Sequence, residues 1–421
     1  MRVGVIGAGH AGVEAAWRAS QLGAQVVLFS GESVLPYFRP RVVALAFGQA
    51  ELDGIYLRPE SWYREHGIDL RLDSEVIDLD AREKAVTAGG REELFDALVL
   101  ATGAAPALLA FVREFPNDVI PLWGVGESLA IRERLGNTRQ TRSAAARRVL
   151  ILGGGISGVE SALYAREGSP NAMNRVGEPG AGLDVTIVEK MDRLIPQQLG
   201  AGAAAVLARR LQRAGINVVT GRYAVTLSKS ERLHVTLDDV SELSGDLIVT
   251  TAGATKELKL FEQAGLKVDR GILVDEYQQT SMPGVFACGD IAQRDGTHTS
   301  TVIRAHEQGR GAGENAVAFG EGRPLTYVPE PVAPLLFKHK DMEIESVGPP
   351  AGDGLEERVL TTDGETVYRS VLLERGDPST DSGGILRGVQ MIGSHEGFRQ
   401  LLDSLGRPWQ EVGSYAREPG R

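Results

Sequence analysis

The sequence predicts an α/β protein: two units of parallel sheet flanked by helices, followed by a smaller α+β piece. Three observations carry this expectation. A glycine fingerprint, Gly7-Ala8-Gly9-His10-Ala11-Gly12, follows the apolar run Val3-Gly4-Val5-Ile6. A second, Gly153-Gly154-Gly155-Ile156-Ser157-Gly158, follows Val149-Leu150-Ile151-Leu152. Strand-like and helix-like apolar patterns alternate along most of the chain, and the alternation ends near Pro324.

Each fingerprint reads as strand, tight turn, helix. The first glycine makes the turn, the second lets a pyrophosphate approach the backbone, and the third allows close helix packing, as in a Rossmann-like dinucleotide-binding unit. The helix N-terminus then faces the phosphates with unpaired N–H groups and a positive dipole end. Gly153 lies 146 residues after Gly7, which marks an internal duplication of a nucleotide-binding unit rather than a solenoid repeat. Two such units in one chain suggest two dinucleotides held together, as electron passage from a nicotinamide to a flavin requires.

The elements follow in order. After the first fingerprint helix, a strand at 25–29 leads to Ser30-Gly31-Glu32, and Glu32 is the candidate acceptor for ribose hydroxyls. Short strands are expected at 76–79, 85–87 and 97–100, with Gly89-Gly90 turning a hairpin between the last two. Residues 137–148 are polar and basic, a solvated connection before the second fingerprint. Residues 168–182, rich in Gly and Pro and without apolar period, read as an exposed loop. The strand at 184–189 ends in Glu189, which suits ribose hydroxyls and repels a 2′-phosphate, so NADH is expected over NADPH. An amphipathic helix is expected at 199–214, with Arg209, Arg210 and Arg213 on its wet side. Pro329, Pro331 and Pro334 mark a connection to the C-terminal piece, whose strands are expected at 368–373 and 386–392.

Composition agrees with a soluble enzyme. A chain of 421 residues needs two or three domains. A net charge of −11 argues against nucleic acid and anionic membrane as partners. The single cysteine, Cys288, excludes an intramolecular disulfide and a redox-active cysteine pair. The first strand begins almost at Met1, with no signal peptide before it, and a cytoplasmic location is expected. The uncharged stretch 97–112 contains Thr102, Gly103 and Pro106 and reads as a strand plus a turn, not a membrane span.

These residues resemble the FAD-dependent pyridine nucleotide oxidoreductases. The likeness is greatest to the branch with NADH:rubredoxin reductase, the ferredoxin reductases of oxygenase systems, and the FAD-binding part of assimilatory nitrite reductase. Pro36-Tyr37-Phe38-Arg39-Pro40 resembles that branch's Pro-Tyr-x-Arg-Pro segment beside the flavin. Phe95 to Gly103, ending Ala101-Thr102-Gly103, resembles the strand and turn that re-enter the FAD site, and Asp246 to Gly253 is its later counterpart. Thr280-Ser281-Met282-Pro283-Gly284-Val285-Phe286-Ala287-Cys288-Gly289-Asp290 resembles the family's second FAD motif, in which the Asp binds the ribityl chain. The helix from about Ser300-Thr301, which carries His306, Glu307 and Gln308, is similar to the one whose N-terminus stabilises charge on reduced flavin.

The resemblance implies FAD and NAD domains of glutathione-reductase-like fold with a split FAD domain. Its parts would be residues 1–112 and 243–323, around an NADH domain at 113–242, with a C-terminal α+β interface domain at 324–421. The cofactors would be FAD and NADH, held by Gly7, Gly9, His10, Ala11, Gly12, Glu32, Arg39, Pro40, Ala101, Thr102, Gly103, Gly289, Asp290, Glu307 and Gln308 on the FAD side. On the NADH side they would be held by Gly153, Gly155, Ile156, Ser157, Gly158, Glu189 and Gly253. No side chain is expected to act as catalyst, because positioning and the cofactors carry the chemistry. The implied partner is a small electron-acceptor protein of the rubredoxin or ferredoxin type, with the C-terminal domain as a homodimer surface.

Departures from the family sharpen this. The disulfide and peroxide reductases of the superfamily carry cysteine on the helix after the first unit, and residues 38–47 here have none. Cys288 is expected as a small buried residue. His298, His306 and His339 match no metal-ligand spacing. The Trp that oxygenase ferredoxin reductases often carry near Val302 is missing. Two other readings stay open at this level: an NADH:quinone reductase, and a non-catalytic NADH- and FAD-responsive protein like apoptosis-inducing factor.

Overall fold

The computed structural model describes residues 1–136, 148–167, 183–294, 301–330, 332–340, 342–375 and 383–413. The connections expected at 137–147 and 168–182, together with His298, Ser300 and residues 414–421, lie outside the described residues. No described helix is long and apolar enough to cross a membrane.

Two five-stranded parallel sheets are built from ten strands. In chain order these are β1 (Arg2–Ile6), β2 (Gln25–Phe29), β3 (Ile68–Arg71), β4 (Ala97–Leu100), β5 (Val119–Pro121), β6 (Arg148–Leu152), β7 (Asp184–Glu189), β8 (Ile216–Thr220), β9 (Leu247–Thr250) and β10 (Val285–Ala287). The helices that matter for function are α1 (His10–Gln21), α2 (Ile156–Glu167), α3 (Ala201–Arg213) and α4 (Val302–Gly320).

The chain divides into two compact units. The first holds Met1–Arg41, Glu51–Ala107 and Ala254–Ala333, and the second holds Val42–Ala50, Leu108–Gly253 and Pro334–Arg421.

In the first unit the strand order is β10-β4-β1-β2-β3. The central strands are covered on both faces, so they read as unbroken apolar runs rather than alternating ones: Ala97 to Leu100 are all buried. One side of the sheet packs on α1 and α4 around Val3, Val5, Ala15, Ala16, Ala312 and Ala316. The two helices cross closely because their contact residues are small. A Cβ on Gly309 would sit 2.2 Å from the Ala11 carbonyl oxygen, and one on Gly313 would sit 2.3 Å from that of Ala15.

The hairpin region differs from the sequence expectation. Gly89 and Gly90 adopt positive φ, 56° and 73°, and join Ala85–Ala88 to Arg91–Leu94, completing a three-stranded antiparallel sheet with Val76–Asp80. Residues 97–100 instead form β4 of the parallel sheet. The strand Arg91–Leu94 has a charged, largely exposed pattern, so no apolar alternation announced it.

In the second unit the sheet order is β8-β7-β6-β9-β5. β9 pairs with β6 from Val149↔Leu247 to Leu152↔Thr250. The chain therefore leaves this unit after Gly253 rather than near residue 243. A C-terminal antiparallel sheet, order β11-β12-β15-β14-β13, belongs to the same unit: β11 (Leu335–His339), β12 (Met342–Val347), β13 (Leu355–Thr362), β14 (Tyr368–Glu374) and β15 (Ile385–Ile392). Polar bonds tie this sheet to α3 and the turn before it. Gly200 N–H donates to Gln390 Oε1 at 2.7 Å, and Ser346 Oγ donates to the Gln198 carbonyl at 2.6 Å. Arg210 donates to the Thr366 carbonyl at 2.6 Å, and Arg213 pairs with Glu365. Two of the three arginines expected on the wet face of α3 thus hold the C-terminal sheet.

Candidate functional site

The first fingerprint folds as a cradle between β1 and α1. Gly7 has φ +102°, and a Cβ there would lie 2.4 Å from the Ala101 carbonyl oxygen. A Cβ on Gly12 would lie 1.8 Å from the Gly7 carbonyl oxygen. Both positions require glycine for the fold itself. Gly9 is different: a Cβ there would meet nothing within 4 Å. The fold leaves the space at Gly9 open. Gly9 is also the N-cap of α1 and brings no side chain to cap the first turn, so the helix end is available to an anion.

His10 opens α1 beside this cradle. Its Nδ1 lies 3.1 Å from Nε2 of His306 on α4, and its ring meets Phe38 edge-on. Its Nε2 is buried with no hydrogen-bond partner. Burial, with His306 and Arg39 nearby, holds the ring's pKa down to about 4, so His10 is a neutral imidazole at physiological pH. Glu32 follows β2 and accepts from Arg39 at 3.1 Å and from Tyr37 at 3.2 Å. Arg39 and Pro40 belong to the 3-10 turn Arg39–Arg41.

The Gly289-Asp290 turn closes the cradle from the other side. Gly289 has φ +73°, and a Cβ there would come 2.9 Å from Ala11 Cβ. Its N–H donates to Gln308 Oε1 at 2.9 Å. Gly7, Ala11, Gly12, Ala101, Gly289 and Gln308 are thus brought together. Glu307, one position earlier on α4, lies 3.9 Å from Arg310. α4 begins at Thr301, whose hydroxyl accepts the Arg304 N–H as N-cap.

The second cradle repeats the logic. Gly153 has φ +122°, and a Cβ on it would strike Thr251; a Cβ on Gly158 would come 1.9 Å from the Gly153 carbonyl oxygen, whereas Gly155 faces open space. The Thr251 hydroxyl donates to the Gly153 carbonyl at 3.0 Å. Glu189, at the end of β7, is 8% exposed and turned inward. Its carboxylate accepts the Gly154 N–H at 2.6 Å and the Met191 N–H at 2.7 Å. The Gly154 carbonyl accepts from Ile195 N–H at 2.9 Å, and Ile195, fully buried and β-branched, takes φ +47° to make that bond. Both backbone groups of Gly154 are thus committed. Ile156, Ser157 and Gly158 form the first turn of α2. Gly253, at φ +100°, borders open space.

Two further side chains matter. Cys288 is 0% exposed, and burial pushes its thiol up to about 12. It is a packed thiol, not a thiolate nucleophile. Glu160 on α2 went unnoticed in the sequence, because its burial comes from packing no local pattern reports. Burial raises its carboxyl to about 7, opposed by a hydrogen bond from Tyr164.

A family model, pyridine nucleotide-disulphide oxidoreductase, matches residues 1–309. The rubredoxin-NAD(+) reductase of Pseudomonas putida is 30% identical over 380 residues, 88% of this chain and 92% of that protein. The assimilatory nitrate reductase electron transfer subunit of Bacillus subtilis strain 168 is 28% identical over 386 residues, covering 90% of this chain and 46% of the relative. The chain thus spans about half the length of that relative. Among solved structures, the covalent putidaredoxin reductase–putidaredoxin complex has a chain of the same fold, with a TM-score of 0.81 at 24% identity, covering 98% of this chain and 95% of that one.

Proposed function

The chain belongs to the pyridine nucleotide-disulphide oxidoreductase family, and from that premise we propose that it is an FAD-dependent NADH oxidoreductase. It passes electrons from NADH through FAD to a small redox protein of the rubredoxin or ferredoxin type. The observation that carries this reading is the pair of cradles. In each, the outer glycines are demanded by backbone packing while the middle one borders open space, as a bound pyrophosphate needs.

When bound, FAD would supply the hydride acceptor for NADH and the one-electron donor to the partner. The protein's part is to hold and orient. On the FAD side, the first-turn N–H groups of α1 suit the pyrophosphate, and Glu32, set by Tyr37 and Arg39, suits ribose hydroxyls. Asp290 takes the ribityl chain by family resemblance. Ala101, Thr102, Gly103, Glu307 and Gln308 complete that side. On the NADH side, Gly155, Ile156, Ser157 and Gly158 form the phosphate end, Glu189 keeps lone pairs for ribose, and Gly253 lines the return of the chain. By this reading the FAD domain comprises the first unit, and the NADH and C-terminal domains share the second. No thiol relay is available, because Cys288 is buried and protonated.

The rubredoxin-type acceptor is favoured by the 30% identity to the Pseudomonas putida enzyme over nearly both full lengths. The test is to reduce the purified protein with NADH under nitrogen and measure reduction of a rubredoxin and of a ferredoxin. Faster transfer to either supports the reading, and transfer to neither contradicts it.

A further inference from the structure

We propose that Glu330 is a positioning residue of the first cradle: it orients the Gln308 amide toward Gly289 and offsets the charge of Arg294 and Arg304. The proposal rests on the reading that this cradle holds FAD.

The sequence showed only a proline-flanked acidic residue in a connection. The structure fixes that connection to α4. Asn315 Nδ2 donates to the Thr326 carbonyl at 2.8 Å, and its Oδ1 accepts the Thr326 N–H at 2.7 Å. Val328 packs where a Cβ on Gly311 would sit, only 2.3 Å from its Cγ2. Arg294 donates to the Val328 carbonyl at 2.6 Å. These contacts deliver Glu330 to the second turn of α4.

There Glu330 Oε1 accepts from Gln308 Nε2 at 2.9 Å. A carboxylate only accepts, and the Gly289 N–H only donates, so the Gln308 amide has one satisfactory orientation: nitrogen to Glu330, oxygen to Gly289. Gly289 in turn abuts Ala11 of the fingerprint helix. A line of contacts thus runs from Glu330 to the cradle floor. Two guanidinium groups flank the same carboxylate. Arg304 Nε lies 2.6 Å from Oε2, although its N–H is not aimed along a hydrogen bond, and Arg294 lies 3.9 Å from Oε1. The side chains of Arg294, Arg304 and Glu330 are 9%, 15% and 22% exposed, so water screens them weakly. Without Glu330 the cluster gains a full unit of positive charge beside the cofactor site.

The test uses the flavin-loaded protein and two variants. E330Q keeps an acceptor for Gln308 but removes the charge, and E330A removes both. A lost negative charge favours the more negative reduced cofactor, so both variants should raise the flavin midpoint potential. E330A should also release FAD more readily, by about tenfold, the loss of one hydrogen bond to a charged group. E330Q should hold FAD nearly as wild type does. Wild-type potentials in both variants overturn the proposal, as does equal loosening of FAD in both. Should E330A fail to fold, the potential of E330Q decides alone. If the wild-type chain itself binds no FAD, the functional reading fails, and that outcome is distinguishable from either result on the variants.

Discussion

Glu189 accepts the N–H of Gly154 at 2.6 Å, so the acidic residue expected to read the ribose also braces the glycine turn proposed to take the phosphates. This changes what an Arg at 189 should do. From sequence alone, Glu189→Arg would relax the preference for NADH. In the structure it would strip the Gly154 and Met191 N–H groups of their acceptor, at a cost of about 1–3 kcal/mol for the buried Gly154 donor left unpaired. The expected result is weaker NADH binding with no compensating gain in kcat/KM for NADPH. The wild type should prefer NADH by roughly tenfold, a difference of about 1.4 kcal/mol. Steady-state kinetics with both nucleotides check this, and a clear switch to NADPH in a stable variant would count against the bracing role.

Gly9 and Gly12 should respond oppositely to alanine. Gly12→Ala forces a Cβ onto the Gly7 carbonyl, and the expected outcome is a protein that does not fold. Gly9→Ala meets open space, so it should fold and lose FAD affinity. Asp290→Ala should likewise fold and come out pale. Circular dichroism and the flavin-to-protein ratio separate the two effects. Full FAD occupancy in Asp290→Ala would remove that residue from the site.

Cys288→Ser tests the absence of a thiol step. The thiol is fully buried and held protonated. A hydroxyl in its place should cost about 1–3 kcal/mol of stability if it finds no partner. Turnover per bound flavin with ferricyanide as acceptor should be retained. Lost turnover in a folded, flavin-loaded variant would mean that the thiol is chemical.

Glu160 predicts a pH signature. Its carboxyl is raised by burial from 4.5 to about 7 in the folded protein. Between those values the folded state keeps a proton that the unfolded state has released. Its contribution to stability therefore falls as pH rises through this window, and above about pH 7 the cost of ionising it in place is fully present. That cost is on the order of 3 kcal/mol, about 1.4 kcal/mol for each pKa unit. Glu160→Gln removes it, so the stability of the variant relative to wild type should increase between pH 5 and 8, in urea titrations without NADH. A difference independent of pH contradicts the assignment.

The parts legible in the sequence are those set by short-range sterics. Gly12 and Gly158 are demanded by the carbonyls of Gly7 and Gly153 five residues earlier, and Gly7 and Gly153 take the positive φ of their own turns, so the spacing displays all four openly. Strands β2 and β7 are equally visible because the buried residues Val26 to Phe29 and Val185, Ile187 and Val188 form short apolar runs. What stayed hidden depends on distant partners. The strand Arg91–Leu94 carries no apolar signal. The docking of the C-terminal sheet on α3 rests on Gln390 and Ser346, polar residues far from Gly200 and Gln198 in sequence. The settings of Glu160 and Glu330 likewise come from packing and hydrogen bonds that no local sequence pattern reports.

The central claim is that this chain carries electrons from NADH through bound FAD to a small redox protein. The most direct measurement is anaerobic stopped-flow absorbance, mixing the purified yellow protein first with NADH and then with oxidised rubredoxin. The account predicts rapid bleaching of the flavin band by NADH and its prompt return as rubredoxin is reduced. A flavin that NADH does not bleach, or a bleached complex that persists in the presence of rubredoxin and ferredoxin alike, would contradict it.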